Sequence, residues 1–206
     1  KHDYSCQYER GDNSIAGFVR FAVSCKNTTF VAHNGSGYDF LLVAEEIVKQ
    51  TGQTARKIRA GGKVMRMDFK SIRFIDSCRH IATRLANFPK TFGLGTSVRK
   101  GHFPYRFNTM ENIGHTGQIP DKEDFLTARM SKQDFSEFNT WYDEVKDKLY
   151  DLEVECRAYT ENDVLILKLG LEAYVKASVA ATGLNSLDST TVAGAVQKEI
   201  LTHYLK

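Results

Sequence analysis

The sequence predicts an α/β fold in which a central mixed sheet is flanked by helices. The chain has 206 residues, of which 42% are hydrophobic, and this is enough to bury a sizeable core. Short β-branched and aromatic runs alternate with longer segments whose apolar residues recur at helical spacing. No repeat or low-complexity tract occurs, and only three prolines interrupt the pattern.

Composition limits the possible partners and compartments. The formal net charge of +3 neither requires nor excludes a polyanionic partner, so any nucleic-acid site must be local. No apolar window approaches the length of a membrane span, and we therefore expect a soluble protein with no membrane partner. The four cysteines are far apart and form no CxxC pair: Cys6, Cys25, Cys78 and Cys156. We therefore expect neither a disulfide framework nor a zinc site, and we expect a reducing, intracellular compartment: nucleus, mitochondrion or viral replication site.

The first third of the chain predicts helix, strand, loop and helix in succession. The stretch 14–23 has helical spacing, and 28–32 is a short run typical of a buried strand. The loop HNGSG follows, and 39–50 again carries apolar residues on a helical period. Gly52 suits the C-terminal cap of this second helix.

The middle of the chain predicts a β-meander followed by a long irregular segment. The runs KIRA, KVMRMDF and IRFID, between residues 57 and 76, are rich in strand-forming residues and are separated by turn residues. Glycines and polar residues dominate 89–120, which indicates a mostly irregular connection. Loops of this length are usually functional.

The last part of the chain predicts three helices. Ser131 suits the N-cap of an amphipathic helix over 134–145, whose aromatic side either packs in a core or stacks on bases. A long helix over 151–179 is expected to be interrupted or bent near Gly170. Another helix begins after Gly183.

Two groups of residues could carry chemistry. The first is HNGSGYD, residues 33–39, at the predicted turn from strand to helix. Its glycines allow close approach to a ligand, and Asp39 lies at a helix start. An Asx-rich loop with a capping aspartate would also account for this pattern. The second is Tyr159 with Asp163, which share one helix face because they are four residues apart.

In this order and separation, the two groups resemble the second and third exonuclease motifs of family B DNA polymerases. The surrounding segments FVAHNGSGYD, GGKVM, FIDS, FPKTFGL, KGHFPYRFNT and YTENDVLILKLGL are similar to the protein-primed branch found in viruses, linear plasmids and Maverick/Polinton-like elements. The resemblance covers nearly the whole chain. It implies an RNase H-like (DnaQ-like) 3′→5′ exonuclease domain over 1–183, and the start of the connection to a polymerase core over 184–206.

The resemblance also implies roles for individual residues. Asp39 and Asp163 would hold two Mg²⁺ or Mn²⁺ ions and would approach each other in the folded chain, because such paired ions lie about 4 Å apart. Tyr159 would orient the attacking water. The primer 3′ end, as single-stranded DNA, would be held by Asn34 and Tyr38. His33 would either assist in this binding or be a strand-end histidine engaged by its neighbours.

Two further matches are specific to the protein-primed branch. Lys100, followed three residues later by Phe103, would steady the scissile phosphate. Leu85 and Phe88 resemble a Ser/Thr-Leu-x-x-hydrophobic motif that binds single-stranded DNA, although Arg84 stands where the motif has its hydroxyl residue. An arginine could still contact a phosphate at that position.

One motif of the resemblance is missing. An Asp-x-Glu pair is expected on a strand before His33, and no such pair occurs there. We therefore expect the 206 residues alone to be inactive. The expected function is proofreading within a longer polymerase. Besides DNA, the partners of this region would be the remainder of the polymerase chain and a terminal protein. The alternatives are a degenerate exonuclease-fold module that binds single-stranded nucleic acid or a protein, and a separate RNase H-like nuclease acting on RNA.

Overall fold

A computed structural model describes residues 14–95 and 98–204. The chain divides into two compact units, which we describe separately. The sheet unit comprises residues 14–95 and 167–204, and the insert unit comprises residues 98–166. The predicted domain boundary at residue 183 stays a prediction.

The sheet unit contains a four-stranded mixed sheet. In the order β1-β4-β3-β2, β1 is parallel to β4 and the other neighbours are antiparallel. This confirms the predicted α/β class and the predicted meander, whereas the RNase H-like assignment stays a prediction. The elements are α1 (Ser14–Ser24), β1 (Thr29–Ala32), α2 (Asp39–Thr51), β2 (Arg56–Ala60), β3 (Lys63–Phe69), β4 (Ile72–Asp76) and α3 (Phe88–Phe92).

The two N-terminal helices pack on one face of this sheet. In α2, Phe40, Ala44 and Ile47 follow helical spacing and are buried, as the sequence predicts. The helix ends at Gly52, whose φ of 68° is left-handed and whose N–H donates to the carbonyl of Val48. The core also includes residues of α1 and of β3 and β4: Val19, Ala22, Val64, Met67, Phe69, Ile72 and Phe74.

The insert unit has its own small core. It contains the two-stranded pairing of β5 (Thr116–Gly117) with β6 (Tyr150–Asp151), and the helix α4 (Lys132–Val145). Ser131 caps α4 by accepting from the backbone N–H of Asp134, as predicted. Most of the aromatic side of α4 packs in this core, as the core interpretation predicts: Phe138 is fully buried, with Trp141, Tyr142 and Val145 against the same cluster. Phe135, on the same side, is exposed.

The long helix α5 (Leu152–Thr182) crosses the boundary between the units after residue 166. The predicted interruption near Gly170 was wrong, because the helix continues through this residue. A Cβ at Gly170 would lie 2.3 Å from Cδ2 of Phe88, so the glycine allows close packing rather than breaking the helix. The last helix is α6 (Val192–His203).

Three of the four cysteines lie within the described residues. Cys25, Cys78 and Cys156 are free, and Cys6 lies outside the described residues. No helix in residues 14–95 and 98–204 is both long enough and apolar enough to cross a membrane.

Candidate functional site

The loop HNGSG wraps around a buried carboxylate. Asp76 is the last residue of β4 and is fully buried. Its Oδ1 accepts from the backbone N–H of Asn34 at 2.8 Å, and its Oδ2 accepts from that of Ser36 at 3.0 Å. The N–H of Cys78 also donates to Oδ1, at 3.0 Å. Asp76 therefore holds the loop after β1 in place. We call residues 33–39 and Asp76 the loop cluster.

The backbone of this loop requires small or flexible residues. A Cβ at Gly35 would lie 2.7 Å from Cβ of Ala32 and 2.7 Å from Cε1 of Phe40, so only glycine fits. Asn34 adopts a left-handed φ of 68°, a conformation that asparagine tolerates better than most residues. The predicted turn from strand to helix is confirmed, whereas the close approach of a ligand to its glycines stays a prediction.

Tyr38 and Asp39 lie at the start of α2. Tyr38 is the N-cap residue without a side-chain cap bond, and its side chain is 66% exposed. Asp39 is the first residue of the helix. Partial burial, and then the negative charge of Asp76, raise the pKa of Asp39 despite a backbone hydrogen bond that lowers it. A cation near Asp39 would reverse this shift by stabilising the ionised form.

His33 is engaged by its neighbours within the sheet unit. Its Nε2 donates to the carbonyl oxygen of Thr83 at 2.8 Å, and its Nδ1 lies 2.9 Å from Oγ of Ser77. The ring also meets Phe88 edge-on, with 4.9 Å between centroids. These contacts match the structural role of a strand-end histidine.

The predicted single-stranded DNA motif surrounds a short turn. Arg84 is exposed and precedes the 3-10 turn Leu85–Asn87. Leu85 is half-buried, and the ring of Phe88 is fully buried. Phe88 contacts Phe92 as well as His33. Contact of these side chains with DNA stays a prediction.

A second group of predicted residues lies in the insert unit. Lys100 Nζ donates to Oδ2 of Asp163 at 2.9 Å, and it lies 5.2 Å from the ring centroid of Tyr159. Phe103 stacks on Tyr159, with 4.8 Å between ring centroids. Four predicted residues are thus brought together. With Tyr105, described next, they form what we call the helix cluster.

Tyr105 belongs to this cluster although the sequence analysis did not select it. Its hydroxyl lies 2.5 Å from the hydroxyl of Tyr159, and its ring meets Phe103 edge-on. The side-chain amide of Asn162 also donates to the carbonyl of Arg99 at 2.8 Å. The irregular segment that carries Lys100 and Tyr105 is therefore tied to α5 by several contacts.

The environment of Tyr159 keeps its phenol neutral. Burial, followed by the hydroxyl of Tyr105 and the negative charge of Asp163, raises the pKa of Tyr159 far above its ordinary value. At neutral pH the phenol can therefore donate and accept hydrogen bonds, but it cannot act as a base. This is the protonation state that a residue orienting a water needs.

The two oxygens of the Asp163 carboxylate have different surroundings. Its Oδ2 accepts from Lys100, whereas its Oδ1 is buried and has no hydrogen-bond partner among the described residues. A buried carboxylate oxygen without a partner is energetically costly, and a cation would satisfy it. Within residues 14–95 and 98–204, no group of three or more His, Cys, Asp or Glu residues could hold a metal ion.

The two predicted metal-binding carboxylates belong to different units. Asp39 lies in the sheet unit and Asp163 in the insert unit. Their predicted approach therefore stays a prediction.

A comparison with known protein families supports the resemblance to family B DNA polymerases, and the protein-primed branch stays a prediction. The chain matches the model of the family "DNA polymerase type B, organellar and viral" over residues 21–202, which is most of its length. The chain therefore belongs to the organellar and viral type B DNA polymerases. No match was found among curated proteins or among solved structures.

Proposed function

We propose that this chain is the proofreading 3′→5′ exonuclease region of a protein-primed type B DNA polymerase. The helix cluster carries this proposal, because it joins a half-buried carboxylate, one of whose oxygens has no hydrogen-bond partner among the described residues, to a neutral phenol and a lysine. These are the groups that a phosphodiester hydrolase needs for a cation, a water and a phosphate. Membership in the polymerase family supports the same function.

Asp163 and Asp39 would hold the divalent ions. The unpartnered Oδ1 of Asp163 would accept a cation. Near Asp39, the negative charge of Asp76 would favour one. Magnesium or manganese bound there would stabilise the attacking and leaving oxygens of an in-line displacement. In the proposed site these ions also require the Asp-x-Glu pair, so the 206 residues by themselves would not cleave DNA.

The other residues position the substrates. The hydroxyl of Tyr159, held by Tyr105, orients a water molecule. When DNA is bound, Nζ of Lys100 would contact the scissile phosphate, and its ion pair with Asp163 would be weakened. In the loop cluster, Tyr38 and Asn34 are exposed and would hold the unpaired primer end.

The experiment for this proposal uses the full-length polymerase that carries this chain. With Mg²⁺ and no nucleotides, the protein should shorten a labelled primer from its 3′ end, and a mispaired end should be removed faster than a paired one. EDTA should stop the reaction. Binding of primer ends without shortening, in either Mg²⁺ or Mn²⁺, would contradict the proposal and favour the binding module.

Tyr38→Ala should weaken the binding of single-stranded DNA by about 1–3 kcal/mol, since a base that stacks on an aromatic ring contributes about this much. The ring is exposed and free to stack. Fluorescence anisotropy with a labelled oligonucleotide measures the loss. Tyr204→Ala is a matched control, because Tyr204 is also highly exposed, at 74%, and lies at the end of α6. Equal affinities for the two variants would give Tyr38 a structural role only.

A further inference from the structure

A strongly basic segment lies in the sheet unit, outside both clusters. Residues 56–73 contain seven lysines and arginines and a single acidic residue, Asp68. The charge of this segment exceeds the net charge of +3 of the whole chain, so the rest of the chain is acidic. Such a local excess of positive charge marks a surface for a polyanion.

Part of this charge surrounds a polar cavity of about 700 Å³. Four cationic side chains and one carboxylate line it: Arg56, Arg66, Lys70, Arg73 and Asp68. The strand register explains this grouping, since Asp68 of β3 is paired with Arg56 of β2 on one side and with Arg73 of β4 on the other. Neighbouring strands place these side chains side by side.

Asp68 does not neutralise the charges around it. Arg66 Nη2 contacts its Oδ1 at 2.9 Å, whereas Nε of Arg73 is 3.5 Å from the same oxygen. This Nε is buried and makes no hydrogen bond within the described part of the chain. Arg56 forms no ion pair with any described residue. The cavity therefore keeps an excess of positive charge for a ligand.

The remaining lining residues suit phosphate oxygens. They are hydroxyl and amide side chains, the groups that contact phosphates beside arginine and lysine in nucleic-acid complexes: Asn27, Thr28, Thr29, Gln53, Thr54 and Ser71. The apolar lining residues, Phe69 and Ile72, are buried, so the cavity has no exposed apolar side chain to insert into a membrane.

This cavity is separate from the loop cluster. It lies at the N-terminal ends of the parallel strands β1 and β4, where Thr29 is paired with Arg73. The loop cluster follows their C-terminal ends, where Ala32 is paired with Asp76. Arg73 and Asp76 are three residues apart, or about 10 Å along the strand.

We infer that this cavity binds the phosphate backbone of a nucleic-acid strand independently of sequence. The site lies at the end of the sheet opposite the loop cluster, so it goes beyond the proposed exonuclease function. It would contact a strand at phosphates other than the scissile one.

The test measures the affinity of the 206-residue chain for a labelled oligothymidylate over a range of salt concentrations. The double variant Arg56→Gln/Lys70→Gln removes two exposed charges from the cavity. It should bind more weakly, and the slope of log K against log salt should fall by about 1.4, because each phosphate contact to a single strand contributes about 0.7. Circular dichroism checks that the variant is folded.

The control is Arg20→Gln/Lys176→Gln, which removes the same charge from exposed positions on α1 and α5. It should keep the slope of the unaltered chain. Equal slopes for the two double variants would overturn the inference, because binding would then depend on net charge alone.

Two further measurements distinguish a nucleic-acid strand from other ligands that carry phosphate groups. Inorganic phosphate at an equal phosphate concentration should not displace the oligonucleotide, and displacement would assign the cavity to a small anion instead. Vesicles containing phosphatidylserine should bind the chain and the cavity variant equally. Loss of vesicle binding with unchanged oligonucleotide binding would overturn the inference in favour of a membrane surface.

Discussion

Replacing Asp163 by alanine should lower the rate of Mg²⁺-dependent 3′→5′ degradation by the full-length polymerase about a thousandfold or more. A carboxylate that holds a catalytic metal contributes several kcal/mol to transition-state stabilisation, and about 4 kcal/mol corresponds to this factor. The free Oδ1 of Asp163 is the observation behind this expectation. Single-turnover degradation of a labelled primer measures the rate.

Asp143→Ala is the matched control for this variant. Asp143 lies on α4 with 59% of its side chain exposed, and among the described residues it pairs only with Lys146 three residues later. This variant should degrade DNA at the normal rate. Primer extension with nucleotides should remain in both variants. A modest slowing of degradation in Asp163→Ala, similar to that in Asp143→Ala, would contradict the metal-binding role.

Asp76→Ala should destabilise the chain by about 3 kcal/mol or more, the second large effect that we expect. Three backbone N–H groups would lose their acceptor: that of Ser36 in a buried hydrogen bond, and those of Asn34 and Cys78 in half-buried ones. Each buried donor without a partner costs about 1–3 kcal/mol. Urea unfolding measures the change, and Asp147→Ala, at an exposed position on the surface, should be nearly neutral.

The stabilisation by Asp76 should also depend on pH. Burial favours the protonated form, but the hydrogen bonds from Ser36, Cys78 and Asn34 outweigh it and lower the pKa of Asp76. The stabilisation is therefore complete above the unfolded pKa, about 3.9, and is lost as the pH falls through the lower folded pKa. Asp76→Asn should remove this pH dependence. A wild-type stability that rises on acidification below about pH 4 would contradict this account.

Much of the fold could be predicted because its signals are local. The helix α2 has three buried residues at helical spacing and a glycine that ends it with a left-handed φ. The meander shows strand-forming runs separated by turn residues. Gly170 misled the prediction, because the cost of about 1 kcal/mol for glycine in a helix is outweighed by the close packing of Phe88.

The candidate site could be predicted only in part. Tyr159, Asp163, Lys100 and Phe103 were selected, and they lie together in the insert unit. Tyr105 was missed because it lies in an irregular segment, where no periodicity shows which way a side chain points.

Asp76 was missed because it is about 40 residues from the loop that it holds. Only the parallel pairing of β1 with β4 brings the two together. An aspartate that directly ends a buried apolar strand was the available signal.

A crystal structure of the full-length polymerase with Mn²⁺ tests most directly whether the loop cluster and the helix cluster form one exonuclease site. We predict two ions about 4 Å apart, with the carboxylates of Asp39 and Asp163 among their ligands. Carboxylates of Asp39 and Asp163 that lie far apart and share no ion site would contradict the account.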